Sequence, residues 1–186
     1  MSRTARFLKN EICYHVMTHA HHGCEIFSSE ADYRYYCRLL KRYKVRFAIH
    51  IFAFCLMSRD VHLVVQPTEA KNLSLFMQRV NQAYALYFNK KYQKQGPLWR
   101  GRFKSVMIDH DFDLFECIKY VEFYPVRSAI THSPVEYPWS SCSLRILGNT
   151  GNLIDAKINR DDVWLISSSL RQPQKKKHTQ GQTIPI

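Results

Sequence analysis

The sequence predicts a single α+β domain, an antiparallel sheet carrying helices. Three observations point there. Two strand-like apolar runs, RFAIHIFAFCLM (46–57) and VHLVVQP (61–67), are joined by only SRD, a link short enough to demand an antiparallel hairpin. Helical spacing flanks that hairpin on both sides. The 186-residue chain is also long enough to bury a sizeable core.

In chain order, EICYHVMTHA (11–20) reads as a first strand. Ser29 offers an N-cap to a helix over 30–45, with Tyr33, Tyr36, Cys37 and Leu40 at helical spacing. The hairpin follows. Thr68 is then expected to cap a second helix, whose apolar positions Leu73, Phe76, Met77, Val80, Tyr84 and Tyr87 recur at threes and fours. FKSVMID (103–109) reads as a further strand. Asp109 or Asp111 starts a helix through Leu114, Phe115, Ile118 and Val121, which Pro125 should stop. The order strand, helix, strand, strand, helix, strand is the split βαβ arrangement of a ferredoxin-like sandwich, here with an added C-terminal helix. The main domain is placed at 10–148, an extension of weak periodicity at 149–170, and a polar, basic, mobile tail at 171–186.

Composition narrows the class. With 46% hydrophobic and 23% charged residues the chain is globular. It holds no run of eighteen apolar residues, which excludes a membrane span, and no apolar stretch follows the basic N-terminus as a secretory signal requires. The six cysteines (Cys13, Cys24, Cys37, Cys55, Cys117, Cys142) are scattered without a C-x-x-C pair, so a reduced, cytoplasmic protein is expected.

The net charge of +12 is unevenly placed. Residues 89–104 (NKKYQKQGPLWRGRFK) hold six basic groups and no acidic one, half of the total, interleaved with Tyr92, Trp99 and Phe103. Cations neutralise phosphates while flat rings stack on unpaired bases, so this segment points to single-stranded nucleic acid. Lys90, Lys91, Lys94, Trp99, Arg100, Arg102 and Lys104 are its candidate contacts. Trp99 has a second reading, as the anchor of the loop. Arg34, Arg38, Lys41 and Arg42 read as the wet face of a helix.

Two further features carry chemistry. Asp60 and His62 are two apart on a strand, hence on one face, where they could share a divalent ion. Tyr120 and Tyr124 are four apart on the last predicted helix, with Glu116 one turn earlier on the same stripe. They are aromatic packing, or Tyr120 is a nucleophile, since an activated phenol forms covalent intermediates. Among the histidines, His19, His21 and His22 in THAHHG read as a solvent- or DNA-facing loop, and His15 and His50 as satisfied core groups. Arg127 is placed either to hold a phosphate or to cap helix carbonyls.

Four segments in order, MSRDVHLV (57–64), GPLWRGRFKS (96–105), YVEFYPVRS (120–128) and YPWSS (137–141), make the chain resemble the REP-associated tyrosine transposases. These are a branch of the single-tyrosine HUH, insertion-sequence-200-like transposases. The resemblance spans about residues 10 to 145. It implies a protein that cuts and rejoins single-stranded DNA beside a hairpin through a 5′-phosphotyrosine link, with Mg²⁺ or Mn²⁺ polarising the phosphate. On this resemblance Tyr120 matches the nucleophile and His62 the second metal-binding His. Asp60 stands where the family has its first His, and Tyr124 where it has an Asn ligand. A carboxylate suits a hard cation, whereas a neutral phenol is a poor ligand. Glu116 and Gln66 are the candidates for a third ligand, and Tyr124 is a candidate second tyrosine of the kind relaxase-type HUH enzymes carry. A DNA-binding protein that has lost cleavage is the alternative that the two changed positions motivate. The implied partner is single-stranded or hairpin DNA, with no membrane, and either a monomer or a homodimer is compatible.

Overall fold

The computed structural model describes residues 8–146 and 152–155. The 171–186 tail and most of the 149–170 extension lie outside the described residues. Four strands, β1 (Cys13–His19), β2 (Ile49–Leu56), β3 (Asp60–Pro67) and β4 (Lys104–Ile108), form one antiparallel sheet in the order β2-β3-β1-β4. Helices α1 (Glu30–Arg46) and α2 (Ala70–Tyr92) connect the strands as the split βαβ pattern requires. The predicted fold class is the observed one.

Alternation along the strands gives the sheet two differently used faces. Tyr14, Val16, Val61, Leu63 and Val65 face α1 and α2, packing on Leu40, Phe76, Met77, Val80 and Tyr84. Cys13 and Val64 face the opposite side and pack under Leu114, Ile118 and Val121 of α3 (Asp111–Glu122). A bulge between Ile51 and Ala53 lets consecutive Phe52 and Ala53 both join this second core. That second face carries the site.

Several boundaries differ from the sequence expectation. Arg46 still belongs to α1, and the chain turns through Ala48 at φ 49° before β2 begins. Glu69, not Thr68, is the N-cap of α2, because the Thr68 hydroxyl donates to the Ala48 carbonyl at 3.1 Å. His110 caps α3, which ends at Glu122, earlier than Pro125. Pro125 instead sits in the first turn of a separate short helix, α4 (Tyr124–Arg127), where its missing N–H costs nothing. A 3₁₀ turn (Pro134–Glu136) and α5 (Ser141–Ile146) complete the described elements.

A buried polar network fixes α3. Glu122 is fully buried and accepts from Ser141 Oγ at 2.6 Å and from Arg145 at 3.0 Å. Arg145 also donates to the Phe52 carbonyl at 2.6 Å, and Ser141 Oγ accepts from the Phe54 N–H at 3.1 Å. Leu56 N–H donates to the Trp139 carbonyl at 2.9 Å. Further along β2, Asp155 accepts the Ile51 N–H on its carboxylate and returns its own N–H to the Ile51 carbonyl, each at 2.8 Å. The buried Lys44 ammonium pairs with the same Asp155 carboxylate at 2.8 Å.

All six cysteines are free thiols. Among the described residues no helix is long and apolar enough to cross a membrane.

Candidate active site

The neighbouring strands bring four polar side chains to the α3 face. On β3 these are Asp60 and His62; on β1, by the same alternation, they are His15 and His19. Register sets the pairs. His19 lies directly opposite Asp60, and its Nδ1 donates to Asp60 Oδ1 at 2.5 Å. His15 lies diagonally from His62, their Nε2 and Nδ1 atoms 3.1 Å apart and their rings stacked at 5.3 Å. His15 is thus a buried, hydrogen-bonded group as expected, but its partner makes it part of the site. His50, by contrast, is exposed opposite Gln66 near the start of β2, with the Asp155 carboxylate 3.9 Å away, which corrects its reading as a core group. Position along the sheet decides between the two: both rings are on the α3 face, but His15 is on an inner strand beside His62, whereas His50 is near the end of the outer strand.

Both site imidazoles are neutral at neutral pH. Burial pushes His15 down to about 4, helped by the positive charge of Arg127. Burial also pushes His62 down to about 4, with His15 adding to the effect and the Asp60 carboxylate opposing it. Two neutral rings sharing one hydrogen bond leave two tautomer choices. If His62 donates from Nδ1, its Nε2 keeps a lone pair; the reverse choice strands an N–H there. That Nε2 is buried and has no hydrogen-bond partner.

The helical side of the site is aromatic. Tyr120, 45% exposed, lies edge-on to His15 with ring centroids 5.8 Å apart. The Arg127 guanidinium rests over the Tyr120 ring, 3.8 Å from its centroid, and donates to the Tyr120 carbonyl. Arg127 therefore combines a carbonyl-capping role with a charge held beside the phenol. Tyr124 sits at the head of α4, not on α3, yet its ring packs on His62 at 4.2 Å and lies 6.3 Å from that of Tyr120. Burial raises the Tyr124 phenol above its ordinary range, and the Asp60 charge pushes the same way.

For a divalent ion, Asp60 and His62 offer a carboxylate and an orphaned imidazole nitrogen on one strand face. Mg²⁺ is commonly held by one or two protein ligands, with substrate phosphates and water completing its octahedron, so the pair fits as a partial shell. The proposed third ligands do not join it. Gln66 is on the same face but four residues beyond His62 and six beyond Asp60, about 13 and about 20 Å away at strand rise, where it donates to the Glu11 carbonyl. Glu116 pairs with Lys119 at 3.8 Å on the exposed side of α3. Among the described residues no three His, Cys, Asp or Glu side chains converge on a metal position.

The basic segment divides. Its start serves the fold: Lys91 Nζ lies 2.6 Å from the fully buried Asp32 carboxylate, a structural partner that its place in a basic run did not suggest. Burial would raise Asp32, but its bonds from Lys91, Tyr92, the Ser28 backbone and Tyr87 hold it down at about 2. Lys94 rests on the Phe88 ring at 5.2 Å, and Lys90 is exposed in the last turn of α2. Trp99 is an anchor: its indole N–H donates to the Asn81 carbonyl at 2.9 Å, and its ring packs among Tyr36 and Tyr84. Around it the chain is zipped to the end of β1, with His21 N–H on the Leu98 carbonyl and Arg100 N–H on that of His19.

This attachment delivers Arg100, Arg102 and Lys104 to an open cavity of about 690 Å³ beside His19 and Asp60. Arg59, from the β2–β3 turn, adds a fourth cation. His15, His19 and Arg59 are the residues that sequence reasoning missed. The available signal was His15 and His19 spaced four apart on one strand, hence on one face.

The profile of the IS200-like transposases matches residues 9–123. Among solved structures, a REP-associated tyrosine transposase bound to a REP hairpin superposes with a TM-score of 0.66 at 14% identity, covering 86% of this chain and 94% of that one. A candidate transposase of Deinococcus radiodurans R1 gives a TM-score of 0.44 at 15% identity, covering 69% of this chain and 92% of that one. No curated protein sequence matches. The profile covers well over half of the chain and includes β1, β3 and Tyr120, so the chain belongs to the IS200-like transposase family.

Proposed function

We propose that this transposase-family protein binds hairpin-bearing single-stranded DNA and cuts and rejoins it through Tyr120. The observation that carries this reading is the station of Tyr120. Its ring is half-exposed, edge-on to His15, and His15 is hydrogen-bonded to His62. The cations of the cavity beside Asp60 would neutralise the phosphates of the bound strand.

In the proposed reaction the Tyr120 oxygen attacks a backbone phosphorus and the P–O3′ bond breaks. A 5′-phosphotyrosine link and a free 3′-OH result. Asp60 and His62 would hold Mg²⁺ or Mn²⁺, which supplies charge to the phosphate oxygens when bound. With His15 Nε2 as the acceptor of the His62 Nδ1 proton, His62 Nε2 would be left able to ligate. Arg127 holds the Tyr120 ring in place and brings a cation to where phosphate charge develops. Free thiols on all six cysteines support a reducing, cytoplasmic setting.

The test uses purified protein, Mn²⁺ and a hairpin-tipped single strand. A covalent adduct mapping to Tyr120, absent in Tyr120→Phe, is expected. No adduct on any such substrate, with binding retained, overturns cleavage. One arrangement favours the second reading, DNA binding without cleavage: the Tyr124 ring lies on His62, and no third donor joins the pair. That reading expects hairpin binding indifferent to Mn²⁺ and to Tyr120→Phe.

A further inference from the structure

His62 Nε2 is a ligating nitrogen that the fold itself does not use. The residue is 3% exposed, and this atom has no hydrogen-bond partner. A buried polar atom left unpaired costs stability, so its presence calls for a use.

Two rings lie against the imidazole. His15 is bonded to Nδ1 and stands on β1, which is paired on both sides, so it cannot withdraw without opening the sheet. Tyr124 is the other, its centroid 4.2 Å from that of His62 and its plane tilted by 36°. It is only partly buried, whereas Ile118 and Val121 on the same side of the sheet are fully buried. It also stands outside the sheet and outside α3, at the first position of the four-residue α4. Of the two rings, Tyr124 alone can move without dismantling the sheet.

One cation restrains it. The Arg127 guanidinium lies 5.5 Å from the Tyr124 centroid and 3.8 Å from that of Tyr120. A cation within about 6 Å of a ring centroid is attracted to its face. A phosphate offers the same guanidinium stronger, charge-assisted hydrogen bonds, and Arg127 is exposed to meet it.

We propose that Tyr124 is a gate over His62 Nε2, shut in this structure and restrained by Arg127, and that a phosphate drawn to Arg127 lets the ring swing away and bares the nitrogen to a metal ion. Tyr124 is then a positioning residue: it makes the ligand available only when the phosphate is in place. By linkage, phosphate and metal each tighten the binding of the other by the same factor. The proposal rests on the cleavage reading above and adds its order of events.

The test is acylation by diethyl pyrocarbonate at neutral pH, mapped by peptide mass spectrometry, with the exposed His50 as internal standard. In the wild-type protein His62 should react far more slowly than His50. Tyr124→Ala should speed His62 by roughly fivefold or more, as removal of a ring contact allows. Tyr124→Phe keeps the ring and should stay slow. Inorganic phosphate, with ionic strength matched by chloride, should speed His62 in the wild-type protein, whereas Arg127→Gln should be fast with or without it. Mn²⁺ affinity, read by calorimetry without DNA, should rise in Tyr124→Ala by a factor similar to the acylation rate. The proposal is overturned if His62 reacts equally in the wild-type protein and Tyr124→Ala, or if phosphate leaves the wild-type rate unchanged. It is equally overturned if His15 accelerates in step with His62, which marks a general loosening of the fold. Formation of the Tyr120 adduct, measured in parallel, separates the two readings. An adduct with equal acylation rates sinks the gate alone, whereas no adduct and no Mn²⁺ binding by any variant sinks both.

Discussion

Acid should destabilise the fold through its two buried site histidines, and the size of the loss follows from their surroundings. His15 and His62 each stand near 4 in the fold, against 6.5 when free. Between those values the unfolded chain binds protons that the folded chain refuses, so stability falls as pH falls through the window. Below about 4 the loss is complete. At about pH 5 each imidazole accounts for about 2 kcal/mol, hence about 4 kcal/mol for the pair relative to neutral pH. That is a large share of the total stability of an ordinary domain. Urea unfolding followed by tryptophan fluorescence from about pH 7 down to pH 5 measures it. A double variant, His15→Gln with His62→Gln, keeps polar groups at both sites but cannot titrate, and should flatten the curve in this window. Asp32 contributes with the same sign at lower pH: its carboxyl is held near 2, so its share is lost only as pH falls from 3.8 towards that value. Stability constant to within about 1 kcal/mol over the upper window, or an undiminished slope in the double variant, would refute the argument.

Three other outcomes are expected. Arg145→Ala leaves the Glu122 carboxylate buried with only Ser141 as a donor, and should cost about 3–5 kcal/mol in the same unfolding assay. His15→Phe keeps a ring beside Tyr120 but removes the partner of His62 Nδ1, and should weaken Mn²⁺ binding by about 10- to 100-fold in titration calorimetry. Replacing Arg100, Arg102 and Lys104 by Gln one at a time should each reduce the slope of log affinity against log salt for hairpin DNA by about 1, whereas Lys91→Gln should leave that slope unchanged.

The element order was legible because each helix and strand carries its own period. Boundaries slipped where polar groups compete: Thr68 looks like a cap until the Ala48 carbonyl claims its hydroxyl. Tyr120, Asp60 and His62 were legible from local spacing and motif. The pairing of His19 with Asp60 was not, because it depends on the register between strands forty residues apart. Lys91 shows the converse. In sequence it is one more cation in a basic run, but the buried carboxylate of Asp32, on a different helix, takes it out of that run. Trp99 was legible only as two alternatives, and the Asn81 carbonyl decides for the anchor. Gln66 fails for a simpler reason: parity along a strand fixes the face, not the distance.

The outer strand β2 has a consequence for assembly. Its backbone groups from Ile51 to Leu56 are claimed by Asp155, Arg145, Ser141 and Trp139 in turn. A sheet margin with open N–H and C=O groups is a template on which another chain can add a strand, and here that template is used up by the protein's own later residues. Among the described residues, lengthening of the sheet by strand addition is thereby left to the β4 side, next to the cations of the cavity beside Asp60. Variants that release Arg145 or Asp155 should therefore become prone to self-association as well as less stable.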